Sequence, residues 1–163
     1  KTKLIIILRN PVDRTYSHFS HIKRVGREPL PFDEAIAAES DRLAGEADRI
    51  ISDPNYSTFM HGHYSYLARS RYAEQLPRWL EGFPREQMLI LPSEEQTNSP
   101  AEAFKKALDF LGLDNWFPGQ FNVFKQGNYE KMPASTRKKL VNYFRPYNQQ
   151  LYDLLDMKFD WDK

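Results

Sequence analysis

An arginine and a serine near the start of the chain have the types and spacing of a phosphate-binding pair. Five consecutive aliphatic residues, LIIIL at 4–8, lead directly into Arg9, and Ser17 follows eight residues later. A guanidinium at the carboxyl end of a strand offers a rigid fork of donors for a phosphate, and ligands of open α/β sheets bind at that edge. In the alternative interpretation, Arg9 pairs with Asp13 and Ser17 is a surface serine. The residues alone leave both interpretations open.

Two histidines that flank a glycine, His61 and His63, are candidates for a general base. A histidine can take a proton from an acceptor because its pKa lies near neutral pH. A purely structural role is the alternative for both. His18 and His21 lie three residues apart on a predicted helix, but a metal site would need further ligands at suitable geometry. We therefore expect no metal.

Other polar residues are interpreted as structural. Glu94 and Glu95 follow the second predicted strand at its carboxyl end. A series of tyrosines could line an acceptor pocket, although helix packing is the preferred interpretation: Tyr56, Tyr64, Tyr66 and Tyr72.

Composition excludes several classes of protein. The 163 residues include 23 Lys and Arg against 22 Asp and Glu, a net charge of +1. Binding to nucleic acid or to a membrane surface usually needs a larger basic excess, so we expect neither partner. The chain has no cysteine, which fits a reducing compartment, and no apolar run of membrane-spanning length. These features favour a cytoplasmic protein; they do not indicate an oligomeric state.

A strand followed by a helix must position Arg9 and Ser17. Residues 3–8 are predicted as a strand apolar on both faces, which is typical of an interior strand in a parallel sheet. Asn10 is a good N-cap and Pro11 suits the first helical position, so a helix is predicted to begin there.

Further elements are predicted from local patterns. Residues 88–91 form a second short strand, and Pro77 is expected to kink or restart the helix that precedes it. Ser99 begins a capping box, and Gly112 ends the helix that follows. The remaining predictions are a helix over 33–51 broken near Gly45, an irregular segment at 60–64, and closing helices around 134–144 and 147–156 separated by Pro146.

Two strands do not make a stable sheet with both faces apolar. We therefore expect the neighbouring strands upstream of Lys1, so that residues 1–163 are the C-terminal part of a single α/β domain.

Several segments resemble one known family. Residues 8–19, LRNPVDRTYSHF, closely resemble the 3′-phosphate-binding segment of sulfotransferases that use 3′-phosphoadenosine 5′-phosphosulfate (PAPS). The likeness is strongest to the branch with bacterial and heparan sulfate sulfotransferases. Similar segments recur at 72–80, 83–90, 110–113 and 132–152. The resemblance implies a P-loop NTPase-like sulfotransferase fold, a three-layer arrangement of a parallel sheet flanked by helices.

The resemblance also assigns residues to the cofactor. Arg9 and Ser17 match the positions that hold the 3′-phosphate in the family. A second loop resembles the one that closes over the nucleotide: Lys125, Gly127, Asn128 and Tyr129. Asn128 stands where a basic residue is usual, so only Lys125 keeps the charge. Nothing in the chain matches the Gly- and Lys-containing loop that grips the 5′-phosphosulfate, which we expect upstream together with the first strands.

The resemblance therefore implies a sulfotransferase that moves a sulfuryl group from PAPS to a hydroxyl or amine on a carbohydrate or small molecule. This chain would carry the 3′-phosphate half of the cofactor site and would be inactive alone. Absence of the cysteine pair found in Golgi relatives favours a cytoplasmic member. Two alternatives remain: a non-catalytic nucleotide-binding or scaffold module, and a nucleotide kinase of similar fold.

Overall fold

The computed structural model describes residues 2–122 and 130–162. Two strands and nine α-helices occur in these ranges. The strands are β1 (Leu4–Leu8) and β2 (Met88–Pro92). The helices are α1 (Pro11–Arg24), α2 (Phe32–Ala37), α3 (Glu39–Arg42), α4 (Glu46–Ser52), α5 (Phe59–Tyr64), α6 (Tyr72–Gly82), α7 (Ser93–Asn98), α8 (Pro100–Leu111) and α9 (Ala134–Leu155). Short 3₁₀ turns occupy Ala68–Ser70 and Arg85–Gln87.

The two strands pair in parallel, as the sequence predicts. The register runs from Leu4 opposite Met88 to Leu8 opposite Pro92. Leu8 is buried, whereas Ile5 and Ile7 are 39% and 52% exposed. Within this chain one face of β1 is therefore covered and the other is open. The upstream strands expected from the sequence stay a prediction.

Helix α1 begins as its sequence predicts. The Asn10 side chain accepts a hydrogen bond from the backbone N–H of Val12 at 2.9 Å, which satisfies one of the orphan donors at the helix start. The buried face of α1 is formed by Pro11, Val12, Thr15, Phe19 and Ile22.

The core joins both ends of the chain to the sheet. Leu8 and Ile90 pack with residues of α6, α9 and the C-terminal segment in one buried cluster: Leu76, Leu151, Tyr152, Leu155, Phe159 and Trp161. A second cluster packs Val12 of α1 against Leu140, Val141 and Phe144 of α9. Burying one such side chain stabilises the fold by about 1.5–3 kcal/mol, so α9 holds β1 and α1 in place.

Two prolines lie inside continuous helices, Pro77 in α6 and Pro146 in α9. The predicted separation of two closing helices at Pro146 is therefore wrong; at Pro77 the helix does not restart, and the alternative expectation of a kink stays a prediction. A proline in a helix interior costs about 3 kcal/mol because one backbone hydrogen bond is lost. In α9, Phe144 and Leu151 are buried on either side of Pro146. Their packing offsets that cost.

The segment from 33 to 64 is interrupted at Gly45 as predicted, but it is divided further than expected. It forms four short helices, α2 to α5, and Gly45 caps α4 with a φ of 72°. The helical stretch Phe59–Tyr64 corrects the irregular segment expected at 60–64; the Thr58 side chain caps it by accepting from the N–H of His61. Helix α8 begins at Pro100 and ends before Gly112 as predicted, but Ser99 makes no side-chain cap bond.

Candidate functional site

Arg9 lies between the end of β1 and the N-cap of α1, at the carboxyl edge of the strand pair. Its side chain is half-buried, and within residues 2–122 and 130–162 it makes no hydrogen bond or ion pair. Asp13, the partner expected if Arg9 were structural, bonds instead to Arg137 of α9. The structure therefore leaves the Arg9 guanidinium with its donors unused by the described part of the chain.

Ser17 lies on α1, about 10 Å along the helix axis from the capping residue at 1.5 Å per residue. Its side chain is half-buried and makes no hydrogen bond to any described residue. Ser20, one turn later, donates to the carbonyl of Tyr16 at 2.7 Å. Arg9 and Ser17 are thus polar groups of one strand–helix segment whose hydrogen-bonding capacity the described fold leaves unused.

Two side chains from distant elements hold the backbone next to Arg9. The hydroxyl of Tyr72, at the start of α6, donates to the carbonyl oxygen of Arg9 at 3.0 Å. The backbone N–H of Asn10 donates to Oε1 of Glu94, which follows β2, at 2.7 Å. Desolvation raises the pKa of Tyr72, so its hydroxyl remains a donor at neutral pH.

A second set of contacts fixes the middle of α1. Arg14 donates to the carbonyl of Tyr66 at 3.1 Å and to the hydroxyl of Ser70 at 3.2 Å. Thr15 donates to the same Tyr66 carbonyl at 3.1 Å. Burial lowers the pKa of Arg14, but an arginine starts so high that it stays charged. These bonds attach α1 to the turn that precedes α6.

His18 follows Ser17 and is held neutral. Burial, with Arg14 and Arg69 nearby, lowers the pKa of His18 to about 4. Its Nδ1 is buried without a hydrogen-bond partner among the described residues, and its ring meets Tyr66 edge-on at 5.1 Å. At neutral pH the flank of α1 beside Ser17 thus carries an uncharged imidazole.

The two candidate bases lie on α5, away from Arg9. His63 contacts Arg27, which lies beyond the C-terminal end of α1; Arg9 precedes the N-terminal end. A helix of 14 residues is about 21 Å long. The structure thus brings Arg9 and Ser17 onto one segment and places His63 at the opposite end of α1.

Both ring nitrogens of His63 are engaged. Nδ1 lies 2.9 Å from the carbonyl of Phe59, which can only accept, so Nδ1 carries the proton. Nε2 then accepts from Arg27 at 2.5 Å. Burial and the neighbouring Arg69 lower the pKa of His61, so at neutral pH His61 is mainly an unprotonated imidazole.

The remaining sequence candidates divide into two groups. The loop residues Lys125, Gly127, Asn128 and Tyr129 lie outside the described residues. The tyrosine hydroxyls expected to serve packing each donate to a protein acceptor: Tyr56 to Glu46, Tyr64 to the Arg27 carbonyl, Tyr66 to Glu28 and Tyr72 to the Arg9 carbonyl.

Sequence reasoning missed the contacts of Tyr72 and Glu94 with the Arg9–Asn10 backbone. Position offered a partial signal for Glu94, since it follows β2 at the edge where Arg9 follows β1. Tyr72 had no such signal, because its partner is 63 residues away.

Pockets, possible metal-ligand clusters and the apolar character of the helices are the remaining features of the described part of the chain. A pocket of about 330 Å³ beside α8 is lined by Lys105 and Trp116 among others, and none of the candidate residues that the structure describes lines it. Across 2–122 and 130–162, no three His, Asp or Glu residues gather as metal ligands. No helix in the same ranges combines the length and apolar character needed to cross a bilayer.

Comparison with known proteins gives a family match. A family model described as the sulfotransferase domain matches residues 1–146. A sulfotransferase from Alicyclobacillus acidocaldarius has a crystal structure similar to this chain, with a TM-score of 0.72, 30% identity and coverage of 99% of this chain. The match confirms the predicted α/β fold of the P-loop-like sulfotransferase type.

Curated relatives agree with this match. The membrane-associated sulfotransferase kil1 of Dictyostelium discoideum is 34% identical over 98% of this chain. The mouse heparan sulfate glucosamine 3-O-sulfotransferase 3B1 is 25% identical over 99% of it. The chain spans about half the length of these relatives, 48% and 44% respectively, and 57% of the bacterial chain.

Proposed function

The chain belongs to the sulfotransferase domain family, and from that premise we propose that it binds the 3′-phosphate half of PAPS. In the whole protein, the proposed reaction moves the sulfuryl group of PAPS to a hydroxyl or amine. The acceptor gains the sulfuryl group and releases a proton, and adenosine 3′,5′-bisphosphate leaves.

One observation carries the proposal: the Arg9 guanidinium is half-buried at the carboxyl edge of β1 and has no partner in the described structure. An arginine is almost never fully buried unless it is paired, so a half-buried arginine without an internal partner must find its acceptors in solvent or in a ligand. Here the nearest candidate in sequence, Asp13, is bonded to Arg137. An anionic ligand would supply the missing acceptors.

The remaining groups fit a phosphate. A guanidinium can donate two parallel hydrogen bonds to phosphate oxygens, and the Ser17 hydroxyl can donate a third. The N-terminal end of α1 adds favourable potential for an anion. When bound, PAPS supplies the activated sulfuryl group; the residues of this chain hold and orient its nucleotide end. Lys125, Gly127, Asn128 and Tyr129 are proposed to cover that nucleotide.

The acceptor and the base are proposed less directly. The name of the mouse relative specifies a heparan sulfate glucosamine, which supports a carbohydrate acceptor. His61 and His63 remain candidates for the base; the lowered pKa of His61 keeps its imidazole unprotonated at neutral pH, the form that can accept a proton. The single domain over 1–163, the cytoplasmic location and the absence of activity in this chain alone stay predictions.

A calorimetric titration of this chain tests the proposal. Adenosine 3′,5′-bisphosphate is compared with adenosine 5′-monophosphate, which lacks only the 3′-phosphate. Charge-assisted hydrogen bonds contribute about 1.5–3 kcal/mol, so we expect the bisphosphate to bind roughly 10- to 100-fold more tightly. Arg9→Ala should remove most of that margin.

Arg49→Ala is the matched control, because it removes the same charge from an exposed side chain of α4. Equal binding of both nucleotides by the folded wild-type chain would overturn the proposal. Tighter binding of ATP than of the bisphosphate would instead support the kinase alternative.

A further inference from the structure

The peptide unit between Arg9 and Asn10 is held at both ends by side chains. Its carbonyl oxygen accepts from the Tyr72 hydroxyl at 3.0 Å, and its N–H donates to Glu94 Oε1 at 2.7 Å. The N–H of a helix-capping residue has no partner within its own helix. Here residues 63 and 84 positions away in the sequence supply the missing partners.

Two bonds on one peptide unit determine the direction of the arginine. The unit is planar, so holding both its oxygen and its nitrogen fixes the rotation about the bonds on either side. Those rotations are ψ of Arg9 and φ of Asn10. They set the direction of the Arg9 side chain relative to α1, which carries Ser17.

The Tyr72 side chain is itself well supported. It packs against the core cluster that includes Leu8 and Leu76, and its ring lies 6.1 Å from that of Trp161. A hydroxyl on a ring held this way keeps its position, so the Arg9 carbonyl is fixed relative to the core.

Glu94 places a carboxylate near the candidate phosphate site without neutralising the arginine. Its charge and that of Arg9 both affect the pKa of Tyr72, so the three groups are close. Glu94 nevertheless bonds the backbone N–H, and the described residues show no ion pair between it and Arg9. Its Oε2 is buried and has no hydrogen-bond partner in the described ranges. A half-buried carboxylate that bonds the backbone and makes no ion pair with the nearby guanidinium among the described residues has the arrangement of a backbone support.

We propose that Tyr72 and Glu94 are positioning residues that clamp the Arg9–Asn10 peptide and thereby aim Arg9 at the 3′-phosphate, an inference that rests on the proposed function. The clamp explains how an arginine whose side chain bonds to none of the described residues can remain pre-organised for its ligand.

The test compares nucleotide margins among matched variants. The margin is the ratio of the dissociation constants for adenosine 5′-monophosphate and adenosine 3′,5′-bisphosphate, measured by calorimetry on this chain. Tyr72→Phe removes one hydroxyl and should reduce the margin roughly fivefold, the equivalent of one ordinary hydrogen bond. Glu94→Ala should reduce it by about the same factor.

Two controls separate positioning from stability. Tyr152→Phe also removes a hydroxyl from the same core cluster, but one that donates to the Phe159 carbonyl at 3.0 Å and not to the Arg9–Asn10 peptide; it should leave the margin unchanged. Glu94→Gln keeps an oxygen acceptor for the Asn10 N–H and should restore the margin that Glu94→Ala loses. If Glu94→Ala does not fold, Tyr72→Phe decides the question.

The outcomes distinguish the two proposals. A wild-type margin that survives Tyr72→Phe overturns the clamp and leaves the proposed function standing. An equal loss of affinity for both nucleotides also overturns it, because the effect would then be structural. A wild-type chain with no margin overturns the proposed function, and the clamp falls with it.

Discussion

Two arginines, Arg9 before α1 and Arg42 at the end of α3, have opposite surroundings. Arg42 donates to both carboxylate oxygens of the buried Glu28, at 2.6 and 3.1 Å, and its guanidinium lies 4.2 Å from the ring centroid of Tyr64. Glu28 also accepts from the hydroxyl of Tyr66 at 2.7 Å. Arg9 has no side-chain bond within the described ranges. Removal of a charge whose partners are all internal destabilises the fold, because it leaves a buried partner uncompensated, whereas a half-buried charge without internal partners is available to a ligand.

The largest expected effect tests the paired arginine. Arg42→Ala should lower the free energy of unfolding by about 3–5 kcal/mol, because it leaves Glu28 buried without its partner. Arg9→Ala should change it by less than about 0.5 kcal/mol. Urea denaturation of the wild-type chain and the two variants measures both changes in the free energy of unfolding. If Arg9→Ala lowered the free energy of unfolding as much as Arg42→Ala, Arg9 would be a structural residue like Arg42, and the contrast would fail.

The second-largest expected effect is the pH dependence of stability that His18 of α1 causes. The pKa of His18 is about 4 in the folded chain and 6.5 in the unfolded chain, so between these pH values the unfolded chain binds more protons. Stability contributed by neutral His18 is therefore complete above pH 6.5 and lost as pH falls toward 4. A single group contributes at most about 1.4 kcal/mol per pH unit, and partial exposure of His18 lowers this.

Urea denaturation at pH 4.5, 5.5 and 6.5 measures this slope. His18→Asn should flatten it. His21→Asn, an exposed histidine one turn away on the same helix, should not. A slope that persists in His18→Asn would assign it to other groups.

The smallest expected effect concerns two serines of α1, Ser17 and Ser20. The Ser17 hydroxyl bonds to nothing in residues 2–122 and 130–162, whereas the hydroxyl of Ser20 is bonded to the Tyr16 carbonyl. Ser17→Ala should weaken binding of adenosine 3′,5′-bisphosphate about fivefold, the equivalent of one hydrogen bond, and leave adenosine 5′-monophosphate unaffected. Ser20→Ala should change neither. If both variants behave alike, Ser17 is not a phosphate donor.

Local rules predicted the segment that carries the candidate site. The β1 strand follows from an unbroken aliphatic run, and the start of α1 from the capping chemistry of Asn10. The end of α8 at Gly112 follows from the tolerance of glycine for a φ of 75°. Each of these depends on residues adjacent in sequence.

Where tertiary packing competes with local preference, the predictions failed. Pro146 should end a helix, yet α9 continues through it because residues on both sides are buried in the two core clusters. The stretch 60–64 has no strong helical pattern, and its helix rests on the Thr58 cap and on packing against α3 and α4.

The sequence by itself determined the strand, the capped helix and the presence of Arg9 and Ser17 on one segment, since these depend on short-range geometry and on residue types. Tertiary structure alone decided which of the polar groups are used internally. It paired Asp13 with Arg137 and brought Tyr72 and Glu94 to the Arg9–Asn10 peptide. Such contacts join residues more than 60 positions apart, and they form only when the core has brought their helices and strands together.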